Sequence, residues 1–561
     1  MKNLLRAACC GLLLLGALPA WAAPALFVKL HDDGAAASAL QRKQRLAAVV
    51  AERGLPLQVR EQVTGRWLRL QATAALSGSE REALLARLRA DPRVAQVLSL
   101  QREQRLAVTP NDTRFADQWW LQPRGTGNTG SADFSTAWMR RVPGNSGGTG
   151  PVAVLDSGIS YHPDLFANVL PGHDFVSDAD YAGDGDGRDA DPNDEGDAIS
   201  DADRTAQPAK FSGCPPQAVS GWHGTIIAGQ VGAMTANGNG VAGAGFNTAV
   251  LPVRVAAKCG ADPGDIVAGM RWAAGLVVDG VPLNPNPARI VVISYGSEDT
   301  CNALYQDAIA EVRAAGTMVI AAAGNQRRGV FRPASCAGAF AVTALNREGY
   351  KATYANYGPQ VQIATPGGDD ATGGSCDAQL SDGGLVSTGN LGDVQQGAAG
   401  YVAASGTSFA APAVAATAAL MLGVNPTLSL AQLEAGLRAS AAPFVQVPLL
   451  GQCAATDNPG RCTCTTSACG AGQLDADQAL VFAAAPGSYV APVRNAVTLR
   501  DNRIEACAIA LGRPVPPEPT PPPTPAPTPT PEPEGGGGGA SSPLWLLGLA
   551  VATAGLRRRR G

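Results

Sequence analysis

Histidine and charged residues are scarce in this sequence. There are four histidines among 561 residues, and Asp, Glu, Lys and Arg together account for 16%. The formal net charge is −4, and the central part of the chain has no basic cluster, which argues against a nucleic-acid-binding protein. A length of 561 residues exceeds one ordinary domain, and a hydrophobic content of 45% is sufficient for a large core.

One serine has the local sequence expected of a nucleophile. Ser408 follows Gly406-Thr407 and begins a run of small apolar residues that predicts a helix. At a helix start, unpaired backbone N–H groups and the positive end of the helix dipole favour a developing oxyanion. Taken alone, the same pattern is equally typical of an ordinary helix N-cap.

A nucleophilic serine needs a neutral imidazole to accept its proton and a carboxylate to orient that imidazole. Among the four histidines, His223 has the most favourable surroundings, because it lies between glycines 221 and 224 and an apolar run follows. Asp156 is the candidate carboxylate. It ends the apolar run 152–155, which predicts a buried parallel strand with an acid at its carboxyl end. The remaining histidines are His31, His162 and His173.

The order Asp156, His223, Ser408 resembles that of the subtilisin-like serine peptidases. The three matching motifs are Val154-Leu155-Asp156-Ser157-Gly158-Ile159, His223-Gly224-Thr225 and Gly406-Thr407-Ser408-Phe409-Ala410-Ala411-Pro412. Segments 162–165, 240–243, 251–255 and 321–325 match as well. The resemblance implies an α/β fold with an open, mostly parallel sheet and helices on both faces, and a reaction that requires no cofactor.

The resemblance also implies roles for residues around the triad. Asn325 is expected to donate to the oxyanion together with the backbone N–H of Ser408, although its position is equally typical of a turn. Segment 290–297 matches the strand that pairs with substrate backbone. Because Tyr295 stands where the family usually has leucine and the pocket walls are uncharged, we expect broad specificity without selection for a charged side chain. The substrate-binding residues would be Ser294, Tyr295, Gly296, Ala323 and Gly324.

The N-terminus predicts export. Lys2 and Arg6 precede the apolar run 11–18, and Ala20-Trp21-Ala22 has the pattern of a signal-peptide cleavage site, so residues 1–22 are interpreted as a signal peptide. Ten cysteines remain, and an even number in an exported chain favours disulfides. The sequence does not decide the connectivity; Cys214–Cys259 and Cys301–Cys336 are the two pairs that we suggest. A zinc site at Cys462 and Cys464 is the weaker interpretation, because no histidine accompanies them.

Residues 23–107 predict a separate small α+β domain. Strands are expected at 26–30, 67–71 and 94–98, with helices at 37–53 and 78–89. This order resembles the ferredoxin-like inhibitory propeptides of the subtilisin family, so the protein's own propeptide is the expected intramolecular inhibitor. Its arginines would favour association with the aspartate-rich enzyme. Maturation is expected near residues 106–111, and the catalytic domain is expected at 108–485.

An acidic run lies between the Asp156 and His223 motifs. Its alternating aspartates and glycines could provide oxygen ligands for structural calcium, although the run lacks the terminal glutamate of an EF-hand. A solvated acidic loop is the alternative. The tentative ligands are Asp184, Asp186, Asp189 and Asp191.

The C-terminal part begins with a short tail at 486–512. A Pro- and Gly-rich linker follows at 513–540, and 541–561 combine a short hydrophobic helix with the arginines at 557–560. The apolar stretch 544–556 is shorter than the about 20 residues of a membrane helix. The whole pattern resembles the GlyGly-CTERM sorting signals of Gram-negative bacteria, which implies a sorting peptidase as a partner; a permanent anchor is the alternative. Either would tether the protein to a membrane for some period.

The sequence therefore predicts a secreted or cell-surface serine endopeptidase that acts on proteins and peptides after autoprocessing. Because His223 must be neutral to act as a base, activity is expected to fall as the pH drops through about 6.5. Two rival interpretations remain at this point. One is a binding module on the same fold without activity, and the other is an esterase, which would have no need of the substrate-pairing strand.

Overall fold

The structure is a computed structural model, and it describes residues 25–31, 38–64, 66–73, 78–100, 108–141, 150–370, 380–454, 460–500, 502–510 and 512. The predicted signal peptide, the linker and the C-terminal helix with its arginines lie outside the described residues. So does the chain at 101–107, where part of the expected maturation segment falls.

The N-terminal domain has the predicted α+β arrangement. Its strands are β1 (Ala25–Leu30), β2 (Leu57–Gln62), β3 (Trp67–Ala72) and β4 (Val94–Leu100), and its helices are α1 (Ala39–Glu52) and α2 (Gly78–Arg89). The strands form one antiparallel sheet in the order β2-β3-β1-β4, which is the ferredoxin-like order. Strand β2 was not predicted, because most of its side chains are polar and leave only a weak apolar alternation in the sequence.

A seven-stranded parallel sheet forms the centre of the larger domain, in the order β13-β12-β11-β10-β5-β7-β6. Nearly all its residues are buried, as expected for strands covered on both faces. The strands are β5 (Val152–Asp156), β6 (His173–Asp174), β7 (Val250–Arg254), β10 (Ile290–Ile293), β11 (Met318–Ala322), β12 (Phe340–Leu345) and β13 (Val361–Pro366). Two smaller pairs are β8 (Ala256–Ala257) with β9 (Gly260–Ala261), and β14 (Leu385–Asn390) with β15 (Ala399–Ala404).

Helices cover both faces of this sheet, as the fold prediction required. One core contains α7 (His223–Gly232), α10 (Thr407–Val424), α11 (Leu430–Ala439) and α13 (Ala476–Ala484); the other contains α8 (Pro263–Ala273) and α9 (Ala303–Ala314). Shorter helices are α3 (Phe134–Ala137), α4 (Ala179–Ala182), α5 (Asp201–Ala206), α6 (Pro208–Phe211), α12 (Thr466–Cys469) and α14 (Asn502–Ala510). Among the described residues, α10 alone is long and apolar enough to cross a membrane, but 94% of it is buried in the protein.

Both predicted disulfides are present, Cys214–Cys259 and Cys301–Cys336. Two further disulfides, Cys453–Cys462 and Cys464–Cys469, occupy the cysteines that were considered for zinc. The disulfide interpretation of that cluster is therefore correct.

Candidate active site

Three neighbouring strands bring the predicted site residues to one edge of the sheet. Register aligns Leu155 of β5 with Ile293 of β10, and Ile293 with Ala321 of β11. Asp156, Ser294 and Ala322 follow these three residues, so they lie side by side at the carboxyl ends of parallel strands. Open α/β sheets place their sites at this edge.

Asp156 and His223 are directly hydrogen-bonded. His223 Nδ1 lies 2.7 Å from Asp156 Oδ1, and Asp156 Oδ1 also accepts the backbone N–H of Ser157 at 2.8 Å. The Asp156 side chain is 1% exposed, whereas that of His223 is 22% exposed. The carboxylate is thus held by the fold, and the imidazole faces the cleft.

His223 begins helix α7, and its position depends on an unusual entry into that helix. Trp222 has a left-handed backbone with φ of 47°, and its indole N–H donates to the carbonyl of Gly392 at 2.6 Å. At Gly224, a Cβ would lie 2.1 Å from the carbonyl oxygen of Gly158. The first turn of α7 therefore packs backbone to backbone against the loop that follows Asp156.

Ser408 is in the first turn of α10, as predicted. Its Oγ donates to the carbonyl of Ser294 at 3.2 Å, and the Ser294 hydroxyl donates to the carbonyl of Ser408 at 3.1 Å. The next residue, Phe409, places its ring 5.2 Å from the His223 ring. Phe409 thus places the start of α10 next to His223, while the Ser408 hydroxyl is bonded to Ser294. Catalytic hydrogen bonds are often long or poorly aligned before substrate binds.

Asn325 has its amide oxygen fixed by the nucleophile turn. Oδ1 accepts both the backbone N–H and the hydroxyl of Thr407, each at 2.9 Å. Because a backbone N–H can only donate, the atom facing it must be the oxygen, and Nδ2 points elsewhere. Among the described residues, Nδ2 has no hydrogen-bond partner, so its two N–H groups are available beside Ser408.

A cavity of about 160 Å³ adjoins Ser408. Four of the five predicted substrate-binding residues are accounted for: Ser294, Tyr295, Gly296 and Gly324 line it, but Ala323 does not. Ala323 is fully buried. Its carbonyl oxygen accepts the backbone N–H of Phe331 and the side-chain amide of Asn356. Ala322 takes its place. The remaining lining residues are Asn325, Gln326, Phe331, Thr407 and Ser408.

Phe331 is a site residue that the sequence analysis missed. It is 5% exposed, and a Cβ at Gly324 would come within 2.9 Å of its ring. It comes six residues after Asn325 in an irregular segment, where no periodicity signals its direction. Glycine at position 324 was the available sign that a bulky group packs against this loop.

Tyr295 lies against the catalytic histidine candidate. Its ring centroid is 5.7 Å from that of His223, with the planes at 75°. The pKa of the phenol lies well above its usual value, first because it is buried and then because Asp156, Asp197 and Asp194 are near. Tyr295 therefore stays neutral and acts as an aromatic wall of the cleft.

Several acidic side chains affect His223. Burial disfavours the imidazolium, but the charge and hydrogen bond of Asp156 outweigh burial, and Asp197 and Asp194 add to them, so the pKa of His223 lies above its usual value. Burial raises the pKa of Asp194 to about 7. The charge of Asp194 is therefore only partly present near neutral pH, which reduces its effect on His223.

The four tentative calcium ligands are not gathered into one set. Among the described residues, the cluster of three or more metal-ligating atoms within 4.8 Å consists of cysteines 453, 464 and 469, which are disulfide-bonded, and it includes no aspartate. Asp184 instead binds the buried guanidinium of Arg254 at 2.6 Å. Asp184 and Asp189 also accept backbone N–H groups two residues ahead, as in Asx turns. The arrangement does not fit calcium held by these four carboxylates.

Two other histidines, both in the larger domain, lie outside the site. His162 is buried and contacts the carbonyl of Gly400 at 2.9 Å, and His173 contacts the carbonyl of Asp174 at 2.7 Å. Both therefore have structural partners.

Known proteins resemble this chain in sequence. The profile of the subtilase family (peptidase S8) matches residues 148–475. An extracellular protease of Xanthomonas campestris pv. campestris is 38% identical over 471 residues, which are 82% of this chain and 72% of that protein. An extracellular basic protease of Dichelobacter nodosus is 37% identical over 317 residues, 56% of this chain and 48% of that protein.

Solved structures give the same result. A structure of proteases from Pseudoalteromonas arctica PAMC 21717 has a TM-score of 0.57 and 38% identity, and it covers 67% of this chain and 99% of its own. The chain therefore belongs to the subtilase family of serine endopeptidases.

Proposed function

We propose that this protein is a secreted serine endopeptidase whose reaction is carried by Asp156, His223 and Ser408. The observation that carries the proposal is the 2.7 Å hydrogen bond from His223 to the buried carboxylate of Asp156, opposite a serine at the start of a buried helix. A binding module has no need of a buried carboxylate that orients a partly exposed imidazole.

The proposed reaction follows from these positions. Asp156 accepts the Nδ1–H of His223, which leaves Nε2 as the basic nitrogen. The Ser408 hydroxyl rotates from the carbonyl of Ser294 toward Nε2, transfers its proton there and attacks the peptide carbonyl. His223 then gives the proton to the leaving amine, and water completes the hydrolysis of the acyl-enzyme by the same steps.

Asn325 is proposed to stabilise the oxyanion with the backbone N–H of Ser408. Thr407 holds the amide oxygen of Asn325, so the amide N–H groups are oriented before substrate binds. We expect Asn325→Leu to lower kcat by about 100- to 1000-fold with little change in KM, since the interaction forms mainly in the transition state. Asn495→Ala, at an exposed position, is the matched control. Unchanged kcat in Asn325→Leu would show that Asn325 does not stabilise the oxyanion.

The proposed substrates are proteins and extended peptides of broad sequence. Strand β10 ends at Ile293, so segment 294–296 beside the cavity offers backbone groups to a substrate strand. The cavity is small and its lining residues are uncharged. Phe331 limits its depth, which favours apolar side chains of moderate size.

The same proposal includes export and a self-inhibited precursor. The two relatives named above are extracellular proteases, which supports secretion. The ferredoxin-like domain at the N-terminus supports the role of an inhibitory propeptide. Two further steps remain predictions from the sequence: the C-terminal tail tethers the protein to a membrane, and a sorting peptidase removes that tail.

The test compares the precursor with Ser408→Ala. We expect only the unchanged chain to lose its N-terminal domain near residues 106–111, to degrade casein and to be labelled by a serine-directed fluorophosphonate. If both proteins stay at full length and unlabelled, the binding-module interpretation is favoured. Labelling with hydrolysis of a short acyl ester but intact casein would favour an esterase.

A further inference from the structure

A fully buried ion pair lies behind the nucleophile turn. Arg461 Nε is 2.7 Å from Asp369 Oδ2, and the two side chains are 2% and 0% exposed. The partners are 92 residues apart in the sequence. Arg461 directly precedes Cys462, which is disulfide-bonded to Cys453, and neither cysteine belongs to the sheet that carries the site.

Asp369 belongs to a segment in direct contact with the residues before Ser408. The carbonyl of Gly367 accepts the backbone N–H of Gly406 at 3.0 Å, and the backbone N–H of Asp370 donates to Ser405 Oγ at 3.0 Å. A Cβ on Gly368 would lie 2.8 Å from Ser405 Oγ. Segment 367–370 therefore supports the turn at 405–406 with no space between them.

A second set of hydrogen bonds holds segment 367–370 in place. Asp369 Oδ2 also accepts the backbone N–H and hydroxyl of Thr353, at 3.2 and 3.1 Å. The Tyr354 hydroxyl contacts the carbonyls of Gly367 and Gly368 at 2.9 and 2.6 Å. The backbone N–H of Lys351, in the same segment, donates to the carbonyl of Cys462 at 3.0 Å. Arg461 and Cys462 thus contact segment 367–370, which supports the turn, and segment 351–354, which holds segment 367–370.

We infer that Arg461 is a positioning residue: through Asp369 it holds segment 367–370 against the Ser405–Gly406 turn and so fixes where Ser408 presents its hydroxyl and backbone N–H. This inference rests on the proposed role of Ser408. Without the guanidinium, Asp369 would lose its buried charge partner, and segment 367–370 would lose its tie to Arg461. A turn that this segment no longer holds can shift, and a shift of about 1 Å at a reacting group costs on the order of 100-fold in rate.

The test uses Arg461→Met, which keeps an unbranched side chain without charge, and Arg461→Lys, which keeps the charge. Each precursor is matured by a trace of tagged wild-type enzyme, which is then removed. Values of kcat and KM on a peptide anilide are measured per folded molecule. We expect Arg461→Met to lower kcat by about 10- to 100-fold with KM within about threefold, and Arg461→Lys to recover part of the loss.

Arg313→Met is the matched control, because it breaks another poorly exposed ion pair, with Glu434, between helices α9 and α11. It should lower thermal stability without changing kcat. If Arg461→Met shows reduced stability but normal kcat, Arg461 is structural only and the inference is wrong. If Arg461→Met does not fold, Asp369→Asn decides, because it removes the charge of the other partner while keeping an acceptor oxygen for Thr353: normal kcat overturns the inference, and a lowered kcat with normal KM supports it. Full activity in Ser408→Ala would instead overturn the proposed function itself.

Discussion

The protonation state of His223 is set by the acidic groups around it. Asp156 forms the direct hydrogen bond, Asp197 and Asp194 add charge from the acidic loop, and the neutral Tyr295 ring covers one side. Because these anions favour the imidazolium, the pKa of His223 exceeds the ordinary value of about 6.5. The sequence analysis used that ordinary value, since it had no means of placing Asp194 and Asp197 near the histidine.

The acid limb of activity should therefore lie at a higher pH than an unperturbed histidine would give. In Asp197→Asn, the amide oxygen can still accept the N–H of Gly221, but one anion is lost. We expect the midpoint of the acid limb in kcat/KM to move to lower pH. Asp186→Asn, at an exposed position in the same loop, should leave it unchanged. Identical midpoints in all three proteins would show that Asp197 does not act on His223.

Phe331 should control the depth of the substrate cavity. In Phe331→Ala, we expect kcat/KM to rise for substrates with a bulky aromatic side chain at the cleaved bond, relative to those with alanine. Phe444→Ala is the control, because Phe444 is equally buried at 5% exposure but belongs to a hydrophobic cluster that does not include Phe331. Both variants should lose stability by about 3–5 kcal/mol. An equal change of preference in the two would contradict the assignment.

At the scale of elements, the site depends on how helices meet the strand ends. Helix α7 begins with His223 and α10 begins with Thr407-Ser408, and both starts lie at the edge where β5, β10 and β11 end. The sequence predicted both helices, since small apolar residues follow each motif. It could not predict the short distance between α7 and the loop after β5, which depends on the absence of a side chain at Gly224.

Gly224→Ala tests that contact. The added methyl would overlap the carbonyl of Gly158, and neither backbone can move without displacing His223 or Asp156. We expect more than 100-fold loss of kcat/KM together with lower thermal stability. Gly213→Ala has open space at its Cβ and should behave as wild type. Wild-type activity in Gly224→Ala would mean that the helix start adapts without cost to the site.

At the scale of the whole molecule, disulfides reinforce the loops around the sheet. The Cys214–Cys259 pair spans 45 residues, and Cys464–Cys469 spans 5. In the chain-entropy account, a cross-link restricts the unfolded chain more strongly when it closes a longer loop.

Replacing each pair by serines should therefore give unequal losses. We expect about 4 kcal/mol for Cys214–Cys259 and about 2 kcal/mol for Cys464–Cys469. The measurement is the half-life of activity at elevated temperature, since self-digestion makes unfolding irreversible. Equal half-lives of the two variants would contradict the loop-length explanation.

The sequence by itself determined the fold class, the family and the order of the three motifs, whereas the disulfide pairing came from the structure. These properties depend on local patterns: apolar runs that end in an acid, glycines beside a histidine, and a small-residue helix after a serine. Tertiary structure decided the rest. It showed that Ala322 and Phe331 line the cavity and Ala323 does not, that Asp184 binds Arg254, and that Arg461 lies behind the nucleophile turn. Such contacts join residues far apart in the chain, and no local pattern encodes which distant side chain fills a given space.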